Sequence, residues 1–308
     1  MEQAAPHIVP QLQLPPPDLK LARNVWYSPL SFEAASWIIS RSPRSVTRAL
    51  SAQLGRLGYI FCKHRRNALK GNLEALKHNP KSLDSLTQDC FENFLRMLHD
   101  FCDCAAGGIP RVNALLSERR GFEFLEKARS YGKGTLLVTG HVGAWELGGM
   151  VLASDGFPVN VVTLEEPTEK LNKWRQKYRD RFGIKTITVG SGVFAFVEII
   201  QALRRNELVA MLVDRPYMNS GVNIRFFDRM ARFSLAAARI SQLTQATVMP
   251  AFVLQLEYGK YGCYAYPPID IPANETLEEN SQRIVNVFQS IIQEFPEQWF
   301  NFVSIWPH

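Results

Sequence analysis

The second half of the chain alternates short apolar or β-branched runs with stretches of helical periodicity, and this alternation limits the fold more than any other feature. Short strands separated by helix-length segments are typical of a sheet with helices packed on its faces. We therefore predict an α/β fold. The runs assigned to strands are residues 135–139, 159–163, 186–189, 208–213, 247–256 and 262–266.

The first half of the chain has a different texture, with apolar residues recurring every three or four positions. This spacing predicts helices, and no convincing strand is found before residue 134. The last helix has the clearest start signal, because Thr276 and Glu279 match a capping box. Its predicted stripe is Ile284, Val287, Phe288, Ile291 and Phe295, and the predicted helices of the first half are residues 44–61, 65–77, 83–102 and 121–131.

Domain organisation follows from the same texture. Residues 1–18 are rich in proline, which predicts an extended, flexible arm. We interpret residues 19–308 as one domain, mainly helical over 19–133 and an α/β catalytic core over 134–308. A chain of 308 residues can bury such a core without disulfides.

The composition limits the cellular compartments and the binding partners that can be expected. The five cysteines lack the paired spacing of a disulfide framework, and the sequence has neither a secretory signal nor about twenty consecutive apolar residues. We therefore expect a chain on the cytoplasmic side. Its net charge of +6 and pI near 9.1 favour an anionic partner, which nucleic acid, an anionic bilayer or an acidic carrier would each satisfy.

Residues 25–48 place aromatic side chains beside arginines, with Trp26, Tyr27, Phe32 and Trp37 preceding Arg41. Such a segment suits a helix that lies in the interface of a bilayer. The aromatics could equally pack on the protein core, and the sequence leaves both interpretations open.

Residues 134–149, GTLLVTGHVGAWELGG, combine an apolar strand, a glycine, a histidine, a turn of small residues and the start of a helix. The polar groups thus follow the carboxyl end of a strand, where open α/β sheets bind ligands. Five residues of continuous helix would turn His141 and Glu146 about 140° apart, so His141 should precede the helix that carries Glu146.

In that arrangement the carboxylate can bond one imidazole nitrogen while the other takes a proton from a hydroxyl group. Gly140 and Gly143 would let backbone and substrate approach closely. The N–H groups at the start of the helix could hold a developing oxyanion or a phosphate.

Residues 140–149, GHVGAWELGG, resemble the signature of the bacterial lipid A biosynthesis acyltransferases, the late lauroyl/myristoyl transferases. These belong to the wider glycerolipid acyltransferases, which share His-x4-Asp/Glu. Further segments that resemble the family in order are residues 67–76, 165–187 and 212–229, the strand with Pro250, and PEQWF at 296–300. The resemblance implies a glycerolipid-acyltransferase-like mixed sheet flanked by helices.

The resemblance also implies roles for residues. His141 would be the catalytic base and Glu146 its charge-relay partner. Arg179 is the best match to the family's arginine, although Arg175 and Arg181 lie beside it, and Asp214 matches a later acidic position. We predict a substrate-binding set of Gly143, Arg179, Asp214 and Arg215, with Arg225 as a further candidate for an anionic head group.

The implied reaction moves a fatty acyl group from acyl carrier protein or coenzyme A, as co-substrate, to the hydroxyl of a membrane lipid. We expect no bound cofactor, no metal and no nucleic acid, and a peripheral or monotopic protein on the cytoplasmic face of the bacterial inner membrane. Family members usually carry a strongly hydrophobic N-terminal helix, whereas residues 31–39 are short and interrupted. The acceptor therefore stays open among lipid A, another glycolipid, a lysophospholipid and an aminolipid.

Other constellations are explained more simply. Cys90, His99, Cys102 and Cys104 lie within fifteen residues, but two thiols two positions apart on a helix point about 200° apart, which does not suit zinc. Ser191 lies between two glycines that a turn explains. The basic run at His64 is most simply a solvated patch, although phospholipid head groups or an acidic carrier protein would also suit it. The rival functions are an acyl-thioester hydrolase and a non-catalytic lipid-binding protein.

Overall fold

The computed structural model describes residues 28–76, 80–166, 168–190, 194–215 and 221–306. The proline-rich arm, the beginning of the 25–48 segment and Ser191 lie outside these residues. Within them no helix combines the length and the apolar character that crossing a bilayer requires.

Four helices form the first part of the fold: α1 (Pro29–Arg41), α2 (Arg44–Phe61), α3 (Lys63–Leu73) and α4 (Leu83–Leu115). Helix α2 packs along α4. Helix α4 runs well past the predicted end at residue 102 and is kinked at Gly108, whose φ of 66° is not helical. A glycine adopts that φ without strain, so helix continues on both sides of the kink.

The α/β part contains nine strands in the described residues. They are β1 (Leu116–Arg120), β2 (Thr135–Thr139), β3 (Val159–Leu164), β4 (Lys185–Val189), β5 (Leu208–Leu212), β6 (Val222–Phe226), β7 (Arg229–Phe233), β8 (Thr247–Gln255) and β9 (Tyr261–Ala265). Seven form one sheet in the order β1-β9-β8-β2-β5-β3-β4. Only the β8–β9 pair is antiparallel, so the predicted mixed α/β sheet is confirmed.

Helices cover this sheet: α5 (Phe122–Ser130), α6 (Trp145–Ser154), α7 (Glu169–Arg181), α8 (Phe194–Arg204), α9 (Ala236–Thr244) and α10 (Leu277–Glu294). The capping box of α10 is confirmed, because Thr276 Oγ1 accepts from Glu279 N and the Glu279 carboxylate accepts from Thr276 N. Of its predicted stripe, Ile284, Phe288 and Ile291 are buried, whereas Val287 and Phe295 are only half-buried.

The expectation that no strand precedes residue 134 is wrong, because β1 pairs in parallel with β9 at one edge of the sheet. Its sequence, LSERR, has no apolar run, since an edge strand that stays largely exposed needs none. The β6–β7 hairpin, a separate two-stranded sheet, was also not predicted. Its strands alternate buried and charged residues too briefly to stand out.

In the aromatic segment at residues 25–48, some side chains are exposed, as a bilayer contact requires, and others pack on the protein core. None of the residues of α1 is fully buried. Trp37 and Ile38 are exposed, and the Arg41 guanidinium lies 4.7 Å from the centre of the Trp37 ring. Phe32 instead stacks on Trp174 of α7, with ring centres 4.9 Å apart, so part of the segment packs on the core.

The side chains between Cys90 and Cys104 contribute to the packing of α2 on α4. All three of its cysteines are buried, and burial raises the pKa of Cys102 to about 11. The His99 ring is hydrogen-bonded to Thr47 Oγ1 at 2.8 Å and to Asp100 Oδ1 at 2.9 Å. Arg44 and Arg48 also bind Asp100, and this polar cluster joins α2 to α4.

Candidate active site

His141 stands two residues past the end of β2, at the carboxyl edge of the sheet, and α6 begins four residues later at Trp145. The prediction that His141 precedes the helix carrying Glu146 is therefore confirmed. The turn between them is tight: Gly143 has a φ of 64°, and a Cβ there would lie 2.1 Å from the carbonyl oxygen of Val253. Only glycine fits this turn, so Gly143 is required for its backbone geometry, and its predicted contact with substrate stays a prediction.

The carboxylate bound to His141 is that of Asp214. The distance from His141 Nδ1 to Asp214 Oδ1 is 2.8 Å, and the His141 backbone N–H donates to Asp214 Oδ2 at 3.0 Å. Strand register explains the pairing: Thr139 of β2 lies opposite Leu212 of β5, and both catalytic candidates follow two residues later. The expected pairing of His141 with Glu146 is corrected accordingly.

The side chains of Asp214 and His141 differ in burial and in charge. The Asp214 side chain is 2% exposed and that of His141 is 22% exposed. Burial alone would raise the pKa of Asp214, but the neighbouring His141 and its hydrogen bonds outweigh burial and hold that pKa below its usual range. An ionised Asp214 accepts the Nδ1 proton, which leaves Nε2 as the nitrogen able to accept a proton from a substrate.

Glu146 lies in the first turn of α6 and is bound by three side chains of α7. Arg175 Nη1 donates to Oε1 at 2.8 Å, Arg179 Nη2 lies 3.2 Å from the same oxygen, and the Tyr178 hydroxyl donates to Oε2. Burial raises the pKa of Glu146, but the charges of Arg179 and Arg175 outweigh it and lower the pKa to about 2. This carboxylate turns toward α7 and therefore does not hold the imidazole.

The arginines of the 165–187 segment are now distinguished. Arg179 is buried against Glu146, and Arg175 bridges Glu146 and Glu166. Arg181 is exposed at the end of α7. Arg179 therefore supports α6 rather than offering its guanidinium to a ligand, and Arg225 lies in the separate β6–β7 hairpin.

The last described segment fixes the His141 loop. Gly143 N donates to Gln298 O at 2.9 Å, and Phe300 N donates to His141 O at 2.7 Å. The Trp145 ring lies edge-on to the imidazole with centres 5.2 Å apart. Arg215 Nε donates to Asn301 Oδ1 at 2.9 Å, beside this contact. In the sequence, only the resemblance of PEQWF to the family pointed to this segment, and nothing in it predicted the contact with the His141 loop.

A depression of about 900 Å³ in the described surface lies at the opposite, amino edge of the sheet. Its lining includes Asp155, Phe157 and Asn206, which precede β3 and β5. It is therefore separate from the His141 site. No group of three or more His, Cys, Asp and Glu side chains within the described ranges is placed to hold a metal ion.

The arrangement can perform proton transfer at a carboxyl sheet edge: a histidine held by a buried aspartate, at the start of a helix. Together with His-x4-Glu on this α/β sheet, it resembles the glycerolipid acyltransferase class. The family profile of the bacterial lipid A biosynthesis acyltransferases matches residues 25–307, and the chain belongs to that family.

Characterised relatives are distant. The chain is 24% identical over 187 residues to a phosphatidylinositol mannoside acyltransferase of Mycobacterium tuberculosis, covering 60% of this chain and 58% of that protein. It is 23% identical over 185 residues to the enzyme of the same name in Mycolicibacterium smegmatis, covering 60% of each. A lipid A biosynthesis acyltransferase of Haemophilus influenzae is 24% identical over 185 residues, 59% of this chain and 57% of that protein. The chain thus spans less than two thirds of the length of these relatives.

Proposed function

We propose that this chain is an O-acyltransferase that moves a fatty acyl group from a thioester to the hydroxyl of a membrane glycolipid, of lipid A type or related. Family membership and the two kinds of glycolipid acyltransferase among its relatives support this function. The single observation that carries the chemistry is the 2.8 Å hydrogen bond between His141 Nδ1 and buried Asp214.

The reaction would be a single displacement. The lipid hydroxyl gives its proton to His141 Nε2 while its oxygen attacks the thioester carbonyl carbon. The C–S bond then breaks, the acyl group remains on the lipid oxygen, and the thiolate takes the proton from the imidazolium. Asp214 stabilises that imidazolium by charge and fixes the ring.

The start of α6 would steady the oxyanion. Gly143 N and Ala144 N already donate to Gln298 O and Val253 O. The next two amides, of Trp145 and Glu146, open the helix, precede its internal hydrogen bonds and lie at its positive end. In this proposal Glu146 is a positioning residue, because its contacts with Arg175 and Arg179 tie α6 to α7.

Acyl carrier protein and coenzyme A both fit as donors, since each presents its thioester on a phosphopantetheine arm. We propose no bound cofactor, since the reaction needs only these co-substrates and the side chains above.

We also propose that the protein binds peripherally to an anionic membrane surface, the cytoplasmic face of the inner membrane. Helix α2 supports this, because its inner face is small and its outer face is large and apolar. Thr47, Ser51, Ala52 and Gly55 are the buried residues. The exposed large apolar side chains are Val46, Leu50, Leu54, Leu57, Ile60 and Phe61.

These six residues, the outer face of α2, lie within about 120° of one another around the helix axis. Two further apolar residues are exposed: Leu164, the last residue of β3, and Phe194, the first residue of α8. Leu164 and Phe194 give the reactive edge of the sheet apolar surroundings, which suits an enzyme that takes its acceptor from a bilayer.

The test compares purified wild-type protein with His141→Ala. Each is given an acyl thioester with and without a bacterial lipid extract, thiol release is followed, and lipids are examined by mass spectrometry. We expect a lipid heavier by one acyl group with wild-type protein and about 100-fold or more slower release with the variant. Equal unfolding temperatures of the two proteins would show that the variant is folded.

Two outcomes would contradict the transferase. Free fatty acid as the only product, whether or not lipid is present, would identify a hydrolase in which water replaces the lipid hydroxyl. Binding of the thioester without any turnover by folded wild-type protein would indicate a lipid-binding role.

A further inference from the structure

A second polar cluster lies directly beside the His141 site, where α3, the residue after Asp214 and the C-terminal segment meet. Arg215 Nε donates to Asn301 Oδ1 at 2.9 Å, and its Nη2 lies 3.4 Å from Phe300 O. Phe300 is itself hydrogen-bonded to the His141 carbonyl oxygen at 2.7 Å. The Arg215 guanidinium is therefore fixed next to the backbone that carries the catalytic histidine.

Helix α3 is docked onto the same segment through Asn72. Its Nδ2 donates to Asn301 O at 2.9 Å and to Val303 O at 2.8 Å, and its Oδ1 accepts from Ile305 N. Arg65 lies seven residues earlier, which is about two helical turns and the same face of α3. Asn301 is thus hydrogen-bonded to α3 through its backbone and to Arg215 through its side chain.

Arg65 consequently lies on the face of α3 that carries Asn72 and meets the segment bound by Arg215, and the two guanidinium groups have like charge. Burial lowers the pKa of Arg215, and the charge of Arg65 lowers it further, although Asp214 acts in the opposite sense. That carboxylate is engaged with His141. In the part of the chain that the structure describes, neither arginine forms an ion pair with an acidic side chain.

A further donor in this cluster lacks an acceptor. Asn301 is fully buried, and its Nδ2 has no hydrogen-bond partner among the described residues. A buried donor left unpaired costs stability, as does the approach of two guanidinium groups. A phosphate group would supply both the missing hydrogen-bond acceptor and the missing negative charge, since guanidinium groups bind phosphate in a forked geometry.

We propose that Arg65 and Arg215, with the amide of Asn301, form a phosphate-binding subsite beside His141. This rests on the proposed transferase. The phosphate would be either the one on the donor's phosphopantetheine arm or the one on the head group of the acceptor lipid. Binding there would orient the substrate for attack at the imidazole. Phe61, at the end of the outer face of α2, lies four residues before Arg65 and places the subsite beside the proposed membrane contact.

The test measures binding, so that it remains informative even if no transfer is found. Calorimetry of the 308-residue chain compares 4′-phosphopantetheine with pantetheine for the donor, and glycerol 3-phosphate with glycerol for a lipid head group. We expect one phosphorylated compound to bind at least tenfold more tightly than its phosphate-free counterpart. The compound that does so identifies the source of the phosphate.

The variants are Arg65→Gln, Arg65→Lys and the control Arg204→Gln. Arg65 is exposed, so its substitution should leave the fold intact, and Arg204 is also exposed at the end of α8. We expect Arg65→Gln to abolish most of the preference for the phosphorylated compound, Arg65→Lys to restore part of it, and Arg204→Gln to leave it unchanged.

The inference is overturned if neither phosphorylated compound is preferred by wild-type protein, or if Arg204→Gln weakens binding as much as Arg65→Gln does. The second result would show general attraction of anions to a basic protein. Loss of turnover with intact phosphate binding would instead count against the transferase alone.

Discussion

At the scale of single residues, the partner of His141 is decided by the sheet rather than by the chain. Asp214 is 73 residues away in sequence, yet the parallel register of β2 and β5 brings it to the imidazole. The nearer carboxylate, Glu146, is occupied by three side chains of α7. The two acidic residues therefore have separate tasks, one electrostatic at the imidazole and one that holds two helices together.

Asp214→Asn tests the first task. The amide can still accept a hydrogen bond from Nδ1, but it has no charge to stabilise the imidazolium, so we expect kcat to fall by about 10²–10⁴. Thiol release measures the loss. Asp155→Asn, at the other edge of the sheet, is the control and should stay within twofold of wild type. A kcat for Asp214→Asn equal to that control would remove Asp214 from the mechanism.

Glu146→Gln tests the second task through stability. It leaves buried Arg179 without its carboxylate, which should cost about 3–5 kcal/mol in the free energy of unfolding at pH 7. The pKa of Glu146 in the folded protein is about 2, below its ordinary 4.5. Its contribution is therefore complete above about pH 4.5 and declines as the pH falls toward 2.

Urea unfolding at pH 7, 4 and 3 should consequently show the difference between wild type and Glu146→Gln shrinking as the pH decreases. Glu123→Gln, an exposed glutamate of α5, serves as the control and should show little difference at any pH. A difference that stays constant from pH 7 to pH 3 would show that the charge of Glu146 is not what stabilises the fold.

At the scale of elements, α2 reverses the usual amphipathic pattern. A surface helix normally buries its large apolar residues, whereas α2 buries its small residues against α4. Close packing explains the inner face: a Cβ on Gly55 would lie 2.6 Å from the Cα of Glu92. The outer face has no counterpart in the described fold, which is why we assign it to the membrane.

Leu54→Glu tests the outer face. Leu54 and Leu243 are similarly exposed, at 58% and 55%, on α2 and α9. A charge at Leu54 forfeits the burial of a leucine in lipid, so we expect at least tenfold weaker binding to vesicles containing phosphatidylglycerol. Leu243→Glu should bind as wild type does, and both variants should unfold within about 0.5 kcal/mol of wild type. Equal binding by all three proteins would contradict the assignment.

At the scale of the whole molecule, charge and the apolar face should act together. The net charge of +6 attracts an anionic surface over roughly the Debye length, which shortens as salt is added. We expect vesicle binding to weaken several-fold between about 0.05 and 0.5 M salt, with a residual binding that Leu54→Glu removes. Cosedimentation at a series of salt concentrations checks this.

A second copy of the chain could instead cover the outer face of α2. Analytical ultracentrifugation without lipid distinguishes the two: a monomer is expected, and a stable dimer that Leu54→Glu dissociates would replace the membrane assignment.

The sequence by itself determined most of the helices and strands and the position of His141. Strand and helix positions follow from local periodicity, which is why residues 44–61 and 135–139 were predicted with their observed bounds. The strand–glycine–histidine–helix order likewise placed His141 at a carboxyl sheet edge. What it missed locally was an edge strand without an apolar run, at Leu116–Arg120, and a short hairpin.

Only the tertiary structure decided which side chains meet. Asp214 reaches His141 through strand register, Glu146 reaches Arg179 through the packing of α6 on α7, and Arg215 and Asn72 of α3 both bind Asn301, more than eighty residues further on. Periodicity reports which face of an element is apolar, but it carries no information about contacts between distant segments. A pairing such as His141 with Asp214 depends on how the whole sheet assembles, and the sequence signal of His-x4-Glu pointed to the wrong carboxylate for that reason.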